Sequence, residues 1–274
     1  MHQLSVPQDD GLIIPTVGQW SKDKHYFLYR YIDAFTTSMK GKKWEGLHYI
    51  DLFAGAGIER LEDSRTLEWG SPMIAAQAPY PFTRLHLCEQ DKEKYVALQT
   101  RITNIRTDSQ VLCGDANEKI FGILKEIPPK TLSLAFLDPF GLHLDYKTLQ
   151  ELARRRVDFI IFFPDHLDVL RNWESYYFNN LTSNLDCCLG KGADWRSIID
   201  KTPRNQLAEQ FKKLYMSQIR KLGYNYIEQQ RITLKNNHPL YLLLFCSQSD
   251  LAAKLWRNIS QKQPNGQRLL PFTE

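Results

Sequence analysis

The run Tyr49-Ile50-Asp51-Leu52-Phe53-Ala54-Gly55-Ala56-Gly57 constrains this chain more than any other segment. An apolar stretch carrying one acid passes directly into a Gly-x-Gly turn. Glycine permits a tight turn and lets a ligand approach the backbone, where amide N–H groups bind its polar atoms. A glycine-rich turn without a ligand is the alternative reading. The Asp-Leu-Phe-Ala ahead of the turn favours a cofactor.

Beyond the turn the pattern is regular. Short apolar runs recur at 48–54, 84–89, 109–115, 132–138 and 157–163, and amphipathic stretches fill most of the gaps. The acids Asp51, Glu89, Asp115 and Asp138 fall 38, 26 and 23 residues apart. The two shorter steps fit one strand plus one helix, the βαβ unit of a parallel sheet. The longer first step requires an insertion, and the polar residues 59–70 read as that loop. Two later runs, 224–234 and 239–248, are joined by Lys-Asn-Asn-His, which permits a hairpin but cannot hold a crossover helix. The pattern predicts a Rossmann-like α/β fold with a mostly parallel seven-stranded sheet and an antiparallel final strand. That ending characterises S-adenosylmethionine (SAM) methyltransferases. Nicotinamide dehydrogenases keep the sixth strand parallel, and Arg60 stands where a GxGxxG motif needs its third glycine.

Three regions are expected. Residues 1–46 form an N-terminal extension: 1–19 carry turn formers and read as a surface segment. Trp20 to Thr37 read as a helix with Phe27, Tyr31 and Phe35 on one face and Ser21 as its N-cap. Residues 47–164 and 223–274 form the methyltransferase-like core. The periodic pattern stops between them, so 165–222 read as a helical insertion suited to substrate or partner recognition. A length of 274 residues and a hydrophobic fraction of 43% suit one large domain with an insertion. The net charge of +4 permits nucleic-acid contact without arguing for it. No apolar run is long enough to span a bilayer, and the start lacks a secretory pattern. Five cysteines without CxxC spacing read as reduced thiols, so the chain is expected in the cytoplasm and away from membranes.

Each acid at a strand end has a candidate task. Asp51, Phe53, Gly55 and Gly57 would hold the methionine end of SAM. Glu89 would accept hydrogen bonds from the ribose hydroxyls, leaving Asp91 as the cap of the next helix. Asp115 would meet the adenine amino group, with Ala116 leaving room for the ring. Asp138-Pro139-Phe140-Gly141 lies where amino-methyltransferases of nucleic acid carry Asp/Asn-Pro-Pro-Tyr/Phe, whose polar side chain accepts from the target amine while the aromatic stacks on the base. Here the second proline is missing and the aromatic sits one place earlier, so a plain strand-ending turn with Phe140 in the core stays open. His143 and His166 are weaker candidates, each read more readily as a surface residue. No zinc-peptidase, hydrolase-elbow or P-loop motif occurs, and no metal is expected.

VGQWSKDK (17–24), YIDLFAGAG (49–57), GSP (70–72), FLDPFG (136–141), VDFIIFFP (157–164) and PLYLLLF (239–245) occur in that order. Together they resemble the bacterial three-Cys-motif partner family over nearly the whole chain. The resemblance implies a methyltransferase-like fold and a partner protein, encoded nearby, that carries the cysteines. It sets Asp51, Gly55, Gly57, Asp138 and Pro139 on the family's motif positions and supplies no acceptor. Two functions are consistent with these residues: a SAM-dependent methyltransferase whose acceptor is an amino group of nucleic acid, or a binding partner that keeps the fold without catalysis.

Overall fold

The computed structural model describes residues 5–139, 141–163, 183–190, 193–233 and 239–261. In chain order the elements are β1 (Thr16–Val17), α1 (Trp20–Met39), β2 (Gly46–Asp51), β3 (Ile58–Leu61), β4 (Leu67–Trp69) and α2 (Ser71–Ala76). Then come β5 (Arg84–Glu89), α3 (Lys92–Thr103), β6 (Ser109–Cys113), α4 (Ala116–Lys125), β7 (Thr131–Leu137), α5 (Tyr146–Ala153) and β8 (Arg156–Phe163). The chain continues through α6 (Asn184–Leu189), α7 (Trp195–Asp200), α8 (Leu207–Lys221), β9 (Tyr226–Thr233), β10 (Pro239–Ser247) and α9 (Asp250–Ser260).

The main sheet has seven strands in the order β6-β5-β2-β7-β8-β10-β9. Strands β2, β5, β6, β7 and β8 are parallel to one another, while β10 runs antiparallel to both β8 and β9. This is the mostly parallel sheet with an antiparallel last strand that the sequence pattern predicts. From β2 the chain turns one way to β5 and β6, then returns to place β7 on the other side. The crevice at that reversal, beyond the carboxyl ends of β2 and β7, is where open α/β sheets bind ligands.

Helices cover both faces, which explains why the strands read as nearly continuous apolar runs. Along β8 the alternation is direct. Phe159, Ile161 and Phe163 pack with Phe211 and Tyr215 of α8, while Ile160 and Phe162 join a second core with Phe27, Tyr31 and Phe35 of α1 and Trp256 of α9. Phe163 stacks on Tyr215 at 4.5 Å between ring centroids, and Phe245 of β10 on Trp256 at 4.9 Å.

Three expectations need correction. Residues 59–70 are not a plain loop: β3 and β4 pair antiparallel, and β1 joins β3 in a small parallel pairing, giving a second, three-stranded sheet. The charged residues hide the strand pattern because Glu59 points inward, with its side chain only 16% exposed. Ser21 does not cap α1. Gln19 at the cap position is already in the helical conformation, so Ser21 lies inside the first turn and its hydroxyl donates to Glu59 Oε2 at 2.5 Å. The first core strand covers 46–51 rather than 48–54, since Asp51 already bends the chain toward the turn.

Candidate functional site

The glycine turn is shaped by backbone that other residues adopt only with strain. Gly55 has φ +65° and Gly57 φ +87°. A Cβ on Gly57 would stand 3.1 Å from Met73 Cγ and 3.3 Å from Leu98 Cδ1, whereas Gly55 faces open space. The Gly57 carbonyl accepts from the Gly70 amide at 2.8 Å, and the Ala54 amide donates to the Cys88 carbonyl at 2.9 Å. The Gly55 amide donates to Glu89 Oε2 at 2.8 Å, while the other oxygen of that carboxylate accepts from the Asp91 amide at 2.8 Å. Glu89 therefore joins the turn to the start of α3. Asp91 caps that helix as expected, accepting from the Glu93 and Lys94 amides.

Asp51 ends β2 fully buried. Its carboxylate accepts from the Tyr49 hydroxyl at 3.1 Å, the Phe53 amide at 3.3 Å and the Ser71 hydroxyl. Burial dominates, and with help from the nearby Asp138 charge it pushes Asp51 up to about 7 against those hydrogen bonds. Phe53 is half-buried and packs on the core beneath the turn.

Asp138 is the first residue past β7, across the crevice from Asp51. Lys24 of α1 meets it, with Nζ 2.5 Å from Oδ2; the two side chains are 8% and 20% exposed. Burial works against the ammonium, but Asp138, Glu59 and Asp51 together outweigh it and hold Lys24 above its ordinary range. His25 beside it is pushed well below its usual value by burial and by Lys24, so it stands neutral 3.9 Å from Glu59. Pro139 is buried, and Phe140 lies outside the described residues, as does His166.

Asp115 caps α4, accepting from the Asn117 amide at 2.8 Å and the Glu118 amide at 3.3 Å. It opens onto a polar cleft of about 600 Å³ shared with Asn117, His143, Asp145 and Lys147. Burial raises the Asp145 carboxyl, and the charge of Asp115 adds to that. Ala116 is buried at the helix start. The Cys88 thiol shows how closely the strand-end acids gather: burial first, then Glu89, Asp115 and Asp51 push it up to about 12.

Of the residues singled out by the sequence pattern, Asp51, Gly55, Gly57 and Glu89 lie around one turn, with Asp138 near enough to act on Asp51 and Asp115 near enough to act on Cys88. The pattern missed Lys24, Glu59 and His25. Lys24 precedes Phe27, Leu28 and Tyr31 at helical spacing, so its place on the buried stripe of α1 was a usable signal. Glu59 carried none, being one acid in a charged stretch. Among the described residues, no three His, Cys, Asp or Glu side chains gather in a way suited to a metal. No helix among them is long and apolar enough to cross a membrane.

No family model matches the sequence, and no curated protein matches it. Among solved structures the chain is similar to protein LPL1258 from Legionella pneumophila, of family model DUF519. The identity is 16%, the TM-score 0.52, and the match covers 86% of this chain and 89% of that one. A second is TYW2 of M. jannaschii in complex with AdoMet, at 11% identity and TM-score 0.42, covering 83% of this chain and 75% of that one. A third is cofactor-bound Rv0187 from MTB, at 12% identity and TM-score 0.45, covering 84% and 82%. The likeness to LPL1258 is one of fold.

Proposed function

We propose that this chain is a SAM-dependent methyltransferase whose acceptor is an amino group of nucleic acid and which acts with a partner protein. The observation that carries the reading is the gathering of acids at the sheet's reversal: Asp138, Glu59 and Asp51 act on the buried ammonium of Lys24, and Glu89 holds the glycine turn. That excess of carboxylates suits a ligand with a sulfonium and an ammonium group. SAM supplies a methyl group on sulfur, open to in-line displacement.

The chain's own residues bind and orient. Asp51, Phe53, Gly55 and Gly57 would hold the methionine end, Glu89 the ribose, and Asp115 with Ala116 the adenine. Asp138, Pro139 and Phe140 would face the acceptor, with the Asp138 carboxylate taking a hydrogen bond from its amine. Methyl transfer of this kind draws on positioning and desolvation, so no acid/base dyad is required. The nearby-encoded three-Cys-motif protein enters as partner through family resemblance, and 165–222 is the region suited to meet it.

A second reading, a binding partner that keeps the fold without catalysis, is favoured by one observation. Asp138, the carboxylate meant for the acceptor, is already paired with Lys24. Calorimetric titration with SAM and S-adenosylhomocysteine tests the first reading. Micromolar binding, lost in Gly55→Arg and weakened in Glu89→Gln, supports the pocket; methyl transfer to tRNA or DNA, with and without the partner, then separates enzyme from binder. Absence of binding to either ligand removes the cofactor and leaves the second reading.

A further inference from the structure

Arg101 of α3 is a buried cation whose hydrogen bonds converge on two separate parts of the chain. Its side chain is 4% exposed. Nε donates to Asp10 Oδ2 at 2.8 Å and Nη2 to Asp10 Oδ1 at 2.6 Å, a two-pronged pairing of guanidinium and carboxylate. Nη1 donates to the Ile13 carbonyl at 3.1 Å and to the Ala56 carbonyl at 2.6 Å. Ala56 is the residue between the two glycines of the turn.

Those glycines have the greatest backbone freedom of any residue, so the shape of the turn rests on the contacts made to it: Glu89 holds the Gly55 amide and Gly70 the Gly57 carbonyl. The Ala56 carbonyl is fixed from outside, by a guanidinium that is itself oriented by Asp10 and Ile13. Leu98, one turn earlier on α3, packs where a Gly57 side chain would be. The N-terminal segment is also fastened elsewhere. Asp9 pairs with Arg60 at 3.0 Å, the Ser5 carbonyl accepts from the Trp69 indole, and β1 lies along β3. These contacts reach β3 and β4, next to the turn in the chain, whereas Arg101 bonds a carbonyl within it.

We infer that Arg101 is a positioning residue that links the N-terminal segment to the cofactor turn, so that docking of residues 5–17 and cofactor affinity depend on one another. The inference rests on the cofactor pocket proposed above. Breaking the Asp10 pairing frees the guanidinium to reorient and releases the Ala56 carbonyl, which lets the turn spread over conformations that do not bind. By reciprocity, a ligand that selects the tight turn holds the segment down by the same factor.

The experiment combines calorimetry with hydrogen exchange on the full chain, using S-adenosylhomocysteine as probe. Asp10→Asn and Arg101→Lys are expected to weaken binding about tenfold, within the usual range for coupled sites. Arg60→Gln cuts the neighbouring Asp9 pair, whose side chains are 31% and 57% exposed, so it loosens the segment only slightly and is expected to lower affinity far less than Asp10→Asn. The probe should slow exchange across residues 5–17 in the wild type and much less in Asp10→Asn, a response that a merely structural salt bridge would not give. Equal affinity in wild type and Asp10→Asn, or exchange of 5–17 indifferent to the probe, overturns the link while the pocket stands. A wild type that does not bind the probe overturns the pocket and the link with it.

Discussion

Lys24 and Asp138, 114 residues apart in the chain, form a buried ion pair 2.5 Å long that bolts the first turns of α1 to the end of β7. The pair also explains why Asp138 sits near the buried Asp51 carboxyl without forcing the crevice open: the ammonium offsets part of the repulsion between them. Removing one member leaves a charge without its partner, the costly case for buried pairs. Lys24→Met is expected to cost about 3 kcal/mol in urea denaturation. Adding Asp138→Asn should then cost less than the sum of the single changes by about 1 kcal/mol or more. Strict additivity would mean that the two side chains do not interact.

The two glycines of the turn predict different penalties. Gly55→Ala meets only the left-handed backbone at φ +65°, with open space around the new methyl, so about 1 kcal/mol is expected. Gly57→Ala meets the same backbone strain and also crowds Met73 and Leu98, which should bring its cost to about 2–3 kcal/mol. Urea midpoints of the two variants decide it, and equal midpoints would show that the turn relaxes away from Met73.

Glu89 receives two backbone N–H groups, one on each oxygen. Glutamine offers one acceptor in place of two, so Glu89→Gln strands either the Gly55 or the Asp91 amide. About 1 kcal/mol of stability should be lost. The loss should grow no larger in Glu89→Ala if water reaches both amides, and it should approach twice that value if it does not. Thermal melts of the two variants distinguish these cases.

Most of the sheet was legible because parallel strands buried on both faces leave continuous apolar runs, and most of the runs here end on an acid or turn residue. The strand from Arg84 to Glu89 matches its apolar run to the residue. The hairpin of β3 and β4 was not legible, because its inward Glu59 breaks the alternation that marks a strand. The candidate residues Asp51, Glu89 and Asp138 were singled out by spacing, and the structure puts each at or just past the end of a strand of the main sheet. Lys24 was legible only in part: helical spacing puts it on the buried stripe of α1, but no local pattern encodes that this stripe meets Asp138. Arg101 shares that difficulty: its partners lie 91 and 45 residues away.

Asp158 lies at the other end of the molecule and gives a prediction independent of any ligand. It sits on β8, 6% exposed, with the Tyr31 hydroxyl donating to Oδ2 at 3.0 Å and the Ser247 hydroxyl to Oδ1 at 2.6 Å. Burial is the larger influence and pushes the carboxyl from 3.8 up to about 6 despite both hydrogen bonds. The folded protein therefore binds this proton more tightly than the unfolded chain does. Stability contributed by the group rises as pH falls from above 6 toward 4, and above 6 the folded state carries the full cost of a buried charge, about 3 kcal/mol. Asp51, raised to about 7, acts in the same direction. Asp158→Asn removes the first of these contributions and leaves the second. Relative to wild type, the variant should gain about 1 kcal/mol in urea denaturation on going from pH 5 to pH 7.5. A difference between the two proteins that stays constant over that interval would mean that Asp158 titrates like an exposed carboxyl, and that water reaches the space between Tyr31 and Ser247.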